Sequence, residues 1–333
     1  MTIFNKRILL FSPAFFGYEN KMVDAMIQLG AQVDYYDERS ITSSIEKSLL
    51  KISPKIFYNK TSKYYKMIIN SLKDEYDYIV FIKCEMPSPA LIKEIKVKFT
   101  KAKLCLYLWD SLQNIKGIKE KIGLFDFVST FDKKEAIGGI HFRPLFFSDE
   151  YYEKQVNLNS DYKYDICFIG TAHNDRHIIV NALEQQCNEK GLALFSYLFL
   201  QSKFIYIIYK IFRKQFRRTH YNDFNYKPLP SSQVRDIIRQ SRVVLDIQSP
   251  RQTGLTIRTI ESLGMKKKII TTNQEISGYS FYNPHNVCII DRKKPFINED
   301  FIVEKYQELT QETYKYYSIE SWIYGILGEA YYE

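Results

Sequence analysis

Two residues whose spacing suits nucleotide binding, Arg258 and Glu261, lie three positions apart in the stretch GLTIRTIESLG. On a helix, residues three apart share one face, so both side chains can reach the same ligand. An arginine can hold a diphosphate, and a carboxylate can accept both hydroxyls of a ribose. An ion pair on a solvated helix surface has the same spacing. The spacing therefore fits either a nucleotide site or a surface ion pair.

The segments around this helix would place it beside a ligand crevice. An apolar strand-like run at residues 243–247 comes before it, and a second run at residues 268–272 comes after it. A strand–helix–strand unit normally gives parallel strands with a crevice at their carboxyl ends. The loop before the helix carries Arg251, Thr253 and Gly254, close to free N–H groups that attract phosphate. The sequence thus predicts a phosphate-binding loop.

Two carboxylates are candidates for a catalytic base because each follows a predicted buried strand. Asp110 follows the apolar run at residues 104–109, and Glu85 follows the run at residues 78–83. The carboxyl ends of parallel strands line the crevice, and partial burial there raises a carboxyl pKa. Either group could then deprotonate an acceptor hydroxyl. An N-cap or loop carboxylate would occupy the same positions. Of the two, we favour Asp110 as the base.

The composition is that of a globular protein with an anionic partner. The chain has 333 residues, enough for two domains, and 45% of them are apolar, enough for a sizeable core. The formal net charge of +9 favours a nucleotide, a nucleic acid or an anionic membrane surface as partner. The five cysteines include no CxxC pair, which predicts reduced thiols in a reducing cytoplasm.

Apolar strand-like runs alternate with helical segments along the chain, which predicts parallel sheets covered by helices. A polar segment at residues 153–163 interrupts the alternation, which then restarts. We therefore expect an α/β protein with two Rossmann-like, doubly wound parallel-sheet domains, residues 1–155 and 156–333. No run reaches the roughly 18 apolar residues of a membrane span.

Four segments together resemble one family of enzymes. They are YLWDS (107–111), FDFVSTFDKKEA (125–136), YDICFIGTAHNDR (164–176) and GLTIRTIESLG (254–264). Their order and spacing resemble the CgeB-like group of bacterial glycosyltransferases. The resemblance implies the GT-B fold, in which two Rossmann-like domains face a central cleft and the last helices cross back to the N-terminal domain. It also implies an Arg-x-x-Glu helix with a glycine turn, which Arg258, Glu261 and Gly264 match.

The same resemblance implies a role for the loop after residue 169. Gly170 and Thr171 would let the donor diphosphate approach the backbone, and Arg176 would neutralise it without a metal. Alternatively, Arg176 merely starts a helix. Retaining enzymes of this fold carry two Glu residues with seven residues between them. Glu261 matches the second, but Thr253 stands at the first position, so retention and inversion both stay open.

Other chemistries lack their sequence signatures. His173 and His177 are four residues apart, but no third metal ligand accompanies them and no HExxH motif is present. GxSxG, P-loop and GxGxxG motifs are also absent, which argues against a hydrolase, an NTPase and a dinucleotide-dependent oxidoreductase. We expect no metal and no other cofactor.

A basic amphipathic segment runs from Lys203 to Arg218 (KFIYIIYKIFRKQFRR), inside a stretch without acidic residues at 190–222. If the segment is one helix, its isoleucines and phenylalanines fall on one half and its lysines and arginines on the other. That pattern is typical of a helix in an anionic membrane interface. A core helix with a basic outer face would show it as well.

Together these features predict a cytoplasmic glycosyltransferase of polysaccharide biosynthesis, peripheral at the inner face of the membrane. The C-terminal domain would bind a nucleotide-sugar donor. The N-terminal domain would hold a glycan or glycolipid acceptor, such as lipopolysaccharide or capsule. A nucleotide-sugar 2-epimerase of the same fold and a non-enzymatic, two-lobed sugar-binding protein are the alternatives. Nucleic acid is not expected as a partner, since no recognition motif is present.

Overall fold

The computed structural model describes residues 2–40, 57–72, 75–155, 161–250 and 252–329. The chain divides into two compact units. Unit 1 consists of Met1–Leu145 and Lys315–Glu333, and unit 2 is Phe146–Tyr314. The division therefore falls before the polar segment at residues 153–163, and the end of the chain is part of unit 1.

Unit 1 is built on a six-stranded parallel sheet with the order β2-β1-β3-β4-β5-β6. Its strands are β1 (Arg7–Ser12), β2 (Gln32–Asp37), β3 (Tyr78–Ile82), β4 (Lys103–Leu108), β5 (Phe127–Thr130) and β6 (His141–Phe142). The helices between them are α1 (Tyr18–Gln28), α2 (Tyr58–Ser71) and α3 (Pro89–Lys98). The strand order reverses between β1 and β3, which makes this position the topological switch point.

The central strands of unit 1 are covered on both faces. Four successive residues of β1, Ile8, Leu9, Leu10 and Phe11, are 0% exposed. Successive residues of a strand point to opposite faces, so neither face of β1 meets solvent. An unbroken apolar run is what a parallel sheet with helices on both sides requires. The apolar runs of the sequence therefore identified these strands correctly.

Unit 2 is built on a five-stranded parallel sheet with the order β11-β10-β9-β7-β8. Its strands are β7 (Tyr164–Thr171), β8 (Leu194–Phe199), β9 (Ser241–Asp246), β10 (Lys268–Thr271) and β11 (Val287–Ile289). The helices that follow are α4 (Arg176–Lys190), α5 (Lys203–Phe212), α6 (Ser231–Arg239), α7 (Ile257–Gly264) and α8 (Glu299–Val303), and α9 (Gln311–Tyr316) begins in unit 2 and ends in unit 1. Its switch point lies between β7 and β9.

The last helix, α10 (Ile319–Leu327), packs into the core of unit 1. Trp322 in this helix is 0% exposed. The buried side chain of Arg143 uses Nη2 to donate to the carbonyl oxygen of Tyr316 (2.6 Å) and to Oγ of Ser321 (3.2 Å). The end of the chain therefore completes unit 1.

The prediction of one helix from Lys203 to Arg218 is wrong in its length. Helix α5 ends at Phe212, and Arg213 has extended backbone angles (φ −116°, ψ 116°). A short 3-10 turn follows, and its residue Phe216 is 0% exposed, with its ring centroid 4.5 Å from that of His177. Burial of Phe216 in the core outweighs continuation of the helix. Within the part of the chain that the structure describes, no helix is long and apolar enough to cross a membrane.

Candidate functional site

Arg176 joins the two strands at the switch point of unit 2. Its Nε donates to the carbonyl oxygen of Ile247 (2.6 Å), just after β9, and its Nη1 donates to that of Thr171 (3.1 Å), the last residue of β7. Burial lowers the pKa of Arg176 to about 10, so the side chain stays charged at neutral pH. Ligands of such sheets bind at this edge. Arg176 thus places a fixed positive charge there.

Gly170 makes room for that guanidinium. A Cβ at this position would lie 3.3 Å from Nη1 of Arg176 and 3.0 Å from Cζ of Phe168. Both distances are tighter than ordinary van der Waals contact. The glycine therefore lets Arg176 lie against β7. This packing requires a glycine at position 170, whereas the sequence suggested that the glycine lets a ligand approach the backbone.

A second arginine, Arg292, is fixed at the same edge of unit 2. Its Nε and Nη2 donate to the two carboxylate oxygens of Asp175 (2.8 and 2.5 Å), at the start of α4. Its Nη1 donates to the carbonyl oxygen of Gln248 (3.1 Å). A bidentate arginine–carboxylate pair has a fixed geometry. Arg292 therefore ties the loop after β11 to the loops after β7 and β9.

His173 lies among these cations and is neutral. Burial, together with the charges of Arg176, Arg213 and Arg292, lowers the pKa of His173 to about 4. The side-chain amide of Asn174 lies 2.9 Å from Nδ1. With that amide as donor, the ring proton is on Nε2. The charges that oppose protonation of His173 would attract a phosphate group.

Asp246 fixes the start of α7 at the end of β9. Its two carboxylate oxygens accept hydrogen bonds from the hydroxyls of Thr256 (2.7 Å) and Thr259 (2.8 Å). Thr256 also caps α7, because its Oγ1 accepts from the backbone N–H of Thr259 (3.2 Å). The preceding loop is held by Asn273, whose Nδ2 donates to the carbonyl oxygen of Thr253 (3.1 Å). The first turn of α7 is thereby held at the carboxyl edge of the sheet.

Arg258 and Glu261 form an ion pair within α7, with 2.6 Å between Nη1 and Oε2. The side chain of Glu261 is 1% exposed and that of Arg258 is 17% exposed, so the carboxylate is buried and the guanidinium is partly buried. Tyr151 lies beside it: burial raises the pKa of Tyr151, and the charge of Glu261 raises it further. Binding of a ribose to Glu261 therefore requires the ion pair to open or to be shared.

Gly264, the last residue of α7, packs directly against another segment of unit 2. A Cβ at this position would lie 2.6 Å from Cγ of Phe147 and 2.8 Å from the carbonyl oxygen of Tyr151. Real Cβ atoms do not approach that closely. The glycine of the Arg-x-x-Glu pattern is thus required by packing.

The two base candidates lie beside one lysine at the carboxyl edge of unit 1. Nζ of Lys83 is 3.4 Å from Oε2 of Glu85 and 3.4 Å from Oδ2 of Asp110. Burial lowers the pKa of Lys83, but the charges of Glu85 and Asp110 outweigh burial and the pKa is raised. Oδ1 of Asp110 accepts from the backbone N–H of Ser111 and from Nδ2 of Asn114 (2.9 Å each). Oδ2 is therefore the oxygen that faces the lysine.

The turn that carries Lys83 and Glu85 has a strained backbone. Lys83 and Cys84 have φ of 74° and 55°, and such left-handed conformations cost about 1–3 kcal/mol each outside glycine. The carboxylate of Glu38, 1% exposed, accepts hydrogen bonds from three successive backbone N–H groups. They belong to Cys84 (2.7 Å), Glu85 (2.6 Å) and Met86 (3.1 Å). These bonds offset the strain.

Lys121 holds the same turn from its carbonyl side. Its buried Nζ donates to the carbonyl oxygens of Cys84 (2.9 Å) and Glu85 (3.0 Å). Burial raises the pKa of Glu38 to about 7; the charge of Glu85 adds to the rise and Lys121 opposes it. Strain that dedicated side chains maintain is typical of functional sites. Glu38 and Lys121 thus fix the turn that carries Lys83 and Glu85.

The predicted donor-site residues lie at the end of β7 and in the loops and helices that follow β7 and β9. They are Gly170, Thr171, Arg176, Thr253, Gly254, Arg258 and Glu261. Arg251 lies outside the described residues. Among the residues that are described, no group of three His, Cys, Asp or Glu side chains could hold a metal ion.

Several residues at the two edges were missed by the sequence analysis. Asp246 had a signal, because it is a charged residue inside the apolar run at residues 243–247. Glu38 had a weaker one, since it directly follows β2. Nothing local marked Arg292, Lys83 was overlooked although it lies two residues before Glu85, and His173 was considered only as a metal ligand together with His177.

Comparisons with known proteins give similarity of structure alone. No family model matches the chain, and no curated protein matches it. The chain is similar to Anabaena Alr3699/HepE, solved in complex with UDP-glucose, with a TM-score of 0.60 and 12% identity over 97% of this chain and 99% of that chain. It is similar to a glycosyltransferase from Rickettsia africae, with a TM-score of 0.54 and 13% identity over 97% of each chain. It is also similar to the UDP-GlcNAc 2-epimerase of Methanocaldococcus jannaschii, with a TM-score of 0.51 and 10% identity over 97% of this chain and 99% of that chain.

These similarities cover almost the whole chain, so they concern both units. At 10–13% identity they establish the fold and not the activity. Together with the two parallel sheets, they confirm the predicted fold of two Rossmann-like, doubly wound units. The CgeB-like group stays a prediction.

Proposed function

We propose that this protein is a glycosyltransferase that uses a nucleotide-sugar donor. The proposal is carried by the cationic edge of unit 2, where Arg176 bridges β7 and β9 beside Arg292 and the neutral His173. Fixed cations and the first turn of a helix attract phosphate groups. The similar Anabaena chain was solved with UDP-glucose, which supports such a ligand by analogy of fold.

In the proposed donor complex, the diphosphate lies against Arg176 and the end of β7 at Gly170 and Thr171. Arg258 turns from Glu261 towards the phosphates, and the Glu261 carboxylate accepts the ribose hydroxyls. The loop with Thr253 and Gly254 lies along the donor. The arginines neutralise the diphosphate, so the proposal includes no metal ion.

Unit 1 would supply the base. As the acceptor oxygen attacks the anomeric carbon, Asp110 takes the hydroxyl proton and the nucleoside diphosphate leaves. Oδ2 would take the proton, because Oδ1 already accepts two hydrogen bonds. Lys83 would stabilise the ionised carboxylate before the reaction. Glu85 is the alternative base on the same lysine.

The proposed acceptor is a glycan or glycolipid of the bacterial surface, so the reaction belongs to polysaccharide biosynthesis. Such acceptors are assembled at the inner face of the cytoplasmic membrane, which would make this a peripheral cytoplasmic enzyme. The formal net charge of +9 supports contact with an anionic surface.

Thermal unfolding with added nucleotides tests the donor assignment. UDP, GDP, dTDP and CMP would each be compared with the matching nucleoside. A nucleotide at 100 times its dissociation constant should stabilise the protein by about 2.7 kcal/mol, and the nucleoside should stabilise it far less because it lacks phosphates. Absence of stabilisation by all four nucleotides would refute the nucleotide-sugar assignment and leave the two-lobed sugar-binding protein.

Product analysis then separates transfer from epimerisation. The nucleotide-sugar that corresponds to the stabilising nucleotide is incubated with and without a lipid-linked glycan acceptor. A transferase releases nucleoside diphosphate, and it forms a glycosidic product only when the acceptor is present. A nucleotide-sugar 2-epimerase yields an altered nucleotide-sugar without any acceptor, and that result would replace the transferase proposal.

A further inference from the structure

Helix α5 exposes a large apolar face. Phe204, Ile207, Ile211 and Phe212 are 68%, 52%, 60% and 79% exposed. Their spacing places them on one side of the helix, and we call these four side chains the apolar face. The apolar side of a surface helix usually packs on the core. Here it points to solvent, so core packing does not account for it.

The opposite side of α5 is firmly attached to unit 2. Tyr206 is 6% exposed, and its hydroxyl donates to the carbonyl oxygen of Thr219 (2.8 Å). Ser202 caps the helix, because its Oγ accepts from the backbone N–H of Ile205 (3.2 Å). After the helix, Phe216 is 0% exposed. The apolar face is therefore held outwards by a well-anchored helix and is not an effect of a frayed segment.

Cations border the apolar face, and acidic residues are absent from the sequence around it. Residues 190–222 contain no Asp or Glu. Lys203 and Lys210 lie on α5, and Lys214, Arg217 and Arg218 follow it; all five are exposed, but Nζ of Lys210 donates to the carbonyl oxygen of Thr219 on the anchored side (2.8 Å). An apolar face beside basic residues is the pattern of a helix that lies in the interface of an anionic bilayer.

We propose that α5 and the turn after it dock unit 2 on an anionic lipid bilayer. The apolar face would enter the interface, and Lys214, Arg217 and Arg218 would contact the lipid phosphates. The absence of acidic residues at 190–222 favours a bilayer over a protein partner, since an anionic lipid surface offers negative charge to all three cations at once. This contact would hold the protein at the membrane, as the proposed function requires. The contact itself does not depend on whether the protein transfers a sugar.

Co-sedimentation with vesicles tests the docking. We expect the wild-type protein to bind vesicles of phosphatidylglycerol and phosphatidylcholine in equal parts at low salt. Binding should weaken as salt rises and should be much weaker on pure phosphatidylcholine. The variant F204Q/I207Q/I211Q/F212Q should lose about tenfold or more in vesicle affinity, because it has no apolar face to insert. The variant K214Q/R217Q/R218Q should lose a similar factor in vesicle affinity. Its remaining binding should depend little on salt.

The matched control is M67Q/V97Q, which removes two apolar side chains that are 65% and 75% exposed on unit 1. It should bind vesicles as the wild type does, and circular dichroism should show that all variants are folded. Wild-type protein that ignores the phosphatidylglycerol vesicles at low salt overturns the proposal. So does an apolar-face variant with unchanged binding. If the wild type ignores vesicles but self-associates through the apolar face, that face joins two copies of the chain and the bilayer proposal fails.

Discussion

The carboxyl edges of the two sheets share a topology and differ in charge. In unit 1, Glu85 and Asp110 flank the ammonium group of Lys83 on a strained turn. In unit 2, Arg176 and Arg292 lie beside a histidine whose pKa is lowered to about 4. One edge presents carboxylates, which suit a hydroxyl group. The other presents fixed cations, which suit a phosphate.

This difference shows where function is encoded in such a fold. In each sheet the first strand of the unit lies between the second and the third: β1 lies between β2 and β3 in unit 1, and β7 lies between β8 and β9 in unit 2. Both switch points therefore arise in the same way. The residues directly after the strands decide what each edge can bind. This difference is the basis of the proposal that unit 2 binds the donor and unit 1 supplies the base.

The largest expected effect is the loss of turnover in Asp110→Asn. The substitution keeps the size of the side chain but removes the base, so kcat should fall by about 10²–10⁴-fold. Nucleotide affinity should stay within about twofold, because the cationic edge is unchanged. Turnover assays and calorimetric titration measure the two quantities.

Glu85→Gln is the matched control, since it leaves Asp110 paired with Lys83. A small effect in Glu85→Gln and a large one in Asp110→Asn would assign the base. The reverse pattern would move the role to Glu85. Normal turnover in both folded variants would show that unit 1 does not supply the base, and the comparison of the two edges would lose its functional meaning.

The second prediction concerns Glu38 and the pH dependence of stability. In the folded protein Glu38 has a pKa of about 7, against an ordinary value of 4.5. Between these values the folded state binds more protons than the unfolded state, so stability falls as pH rises. The stabilisation that comes from protonated Glu38 is complete below pH 4.5 and is lost as the pH rises through 7. From the size of the pKa rise it amounts to about 3 kcal/mol.

Urea unfolding of the wild type and Glu38→Gln from pH 4.5 to 7 isolates this contribution. All other carboxylates are common to both proteins, so the difference between the curves reports Glu38. The wild type should lose stability relative to the variant as pH rises. Parallel curves would mean that Glu38 is ionised throughout, and that its hydrogen bonds to the strained turn outweigh burial.

The fold was predictable because parallel sheets leave a strong pattern in the sequence. The runs at residues 104–109 and 268–272 identified β4 (Lys103–Leu108) and β10 (Lys268–Thr271) to within one residue at each end. The end of α5 was not predictable from the local pattern. It depends on burial of Phe216, a contact that helical spacing does not reveal.

The site was predictable only where position after a strand was itself the signal. Asp110 and Glu85 were found because each follows an apolar run. Their partner Lys83 was not found, because its position depends on the left-handed φ angles of Lys83 and Cys84. It also depends on the hydrogen bond from the backbone N–H of Cys84 to Glu38, which lies 46 residues earlier. In unit 2, spacing suggested the Arg258–Glu261 pair but not its burial, which is set by packing against Tyr151.

The third prediction concerns that buried pair. Glu261→Ala should weaken nucleotide binding by roughly tenfold to a hundredfold, because hydrogen bonds to charged groups are worth about 1.5–3 kcal/mol. Arg258→Ala should weaken binding of a nucleoside diphosphate far more than binding of the nucleoside. Calorimetric titration with both ligands measures this. Unchanged affinities, with lower unfolding temperatures in both variants, would make the pair purely structural.

The smallest expected effect comes from Gly170→Ala, and it tests how closely Arg176 must be held. The added Cβ would lie 3.3 Å from Nη1 of Arg176 and 3.0 Å from Phe168, so both side chains must shift by a few tenths of an ångström. We expect a loss of less than about 1 kcal/mol in stability and a several-fold loss in nucleoside diphosphate affinity, with nucleoside affinity unchanged. Gly123→Ala is the matched control, since nothing lies within 4 Å of its added Cβ. Equal effects of Gly170→Ala on nucleoside and diphosphate would show that Arg176 does not face the phosphates, because a displaced guanidinium can affect only the ligand that carries their charge.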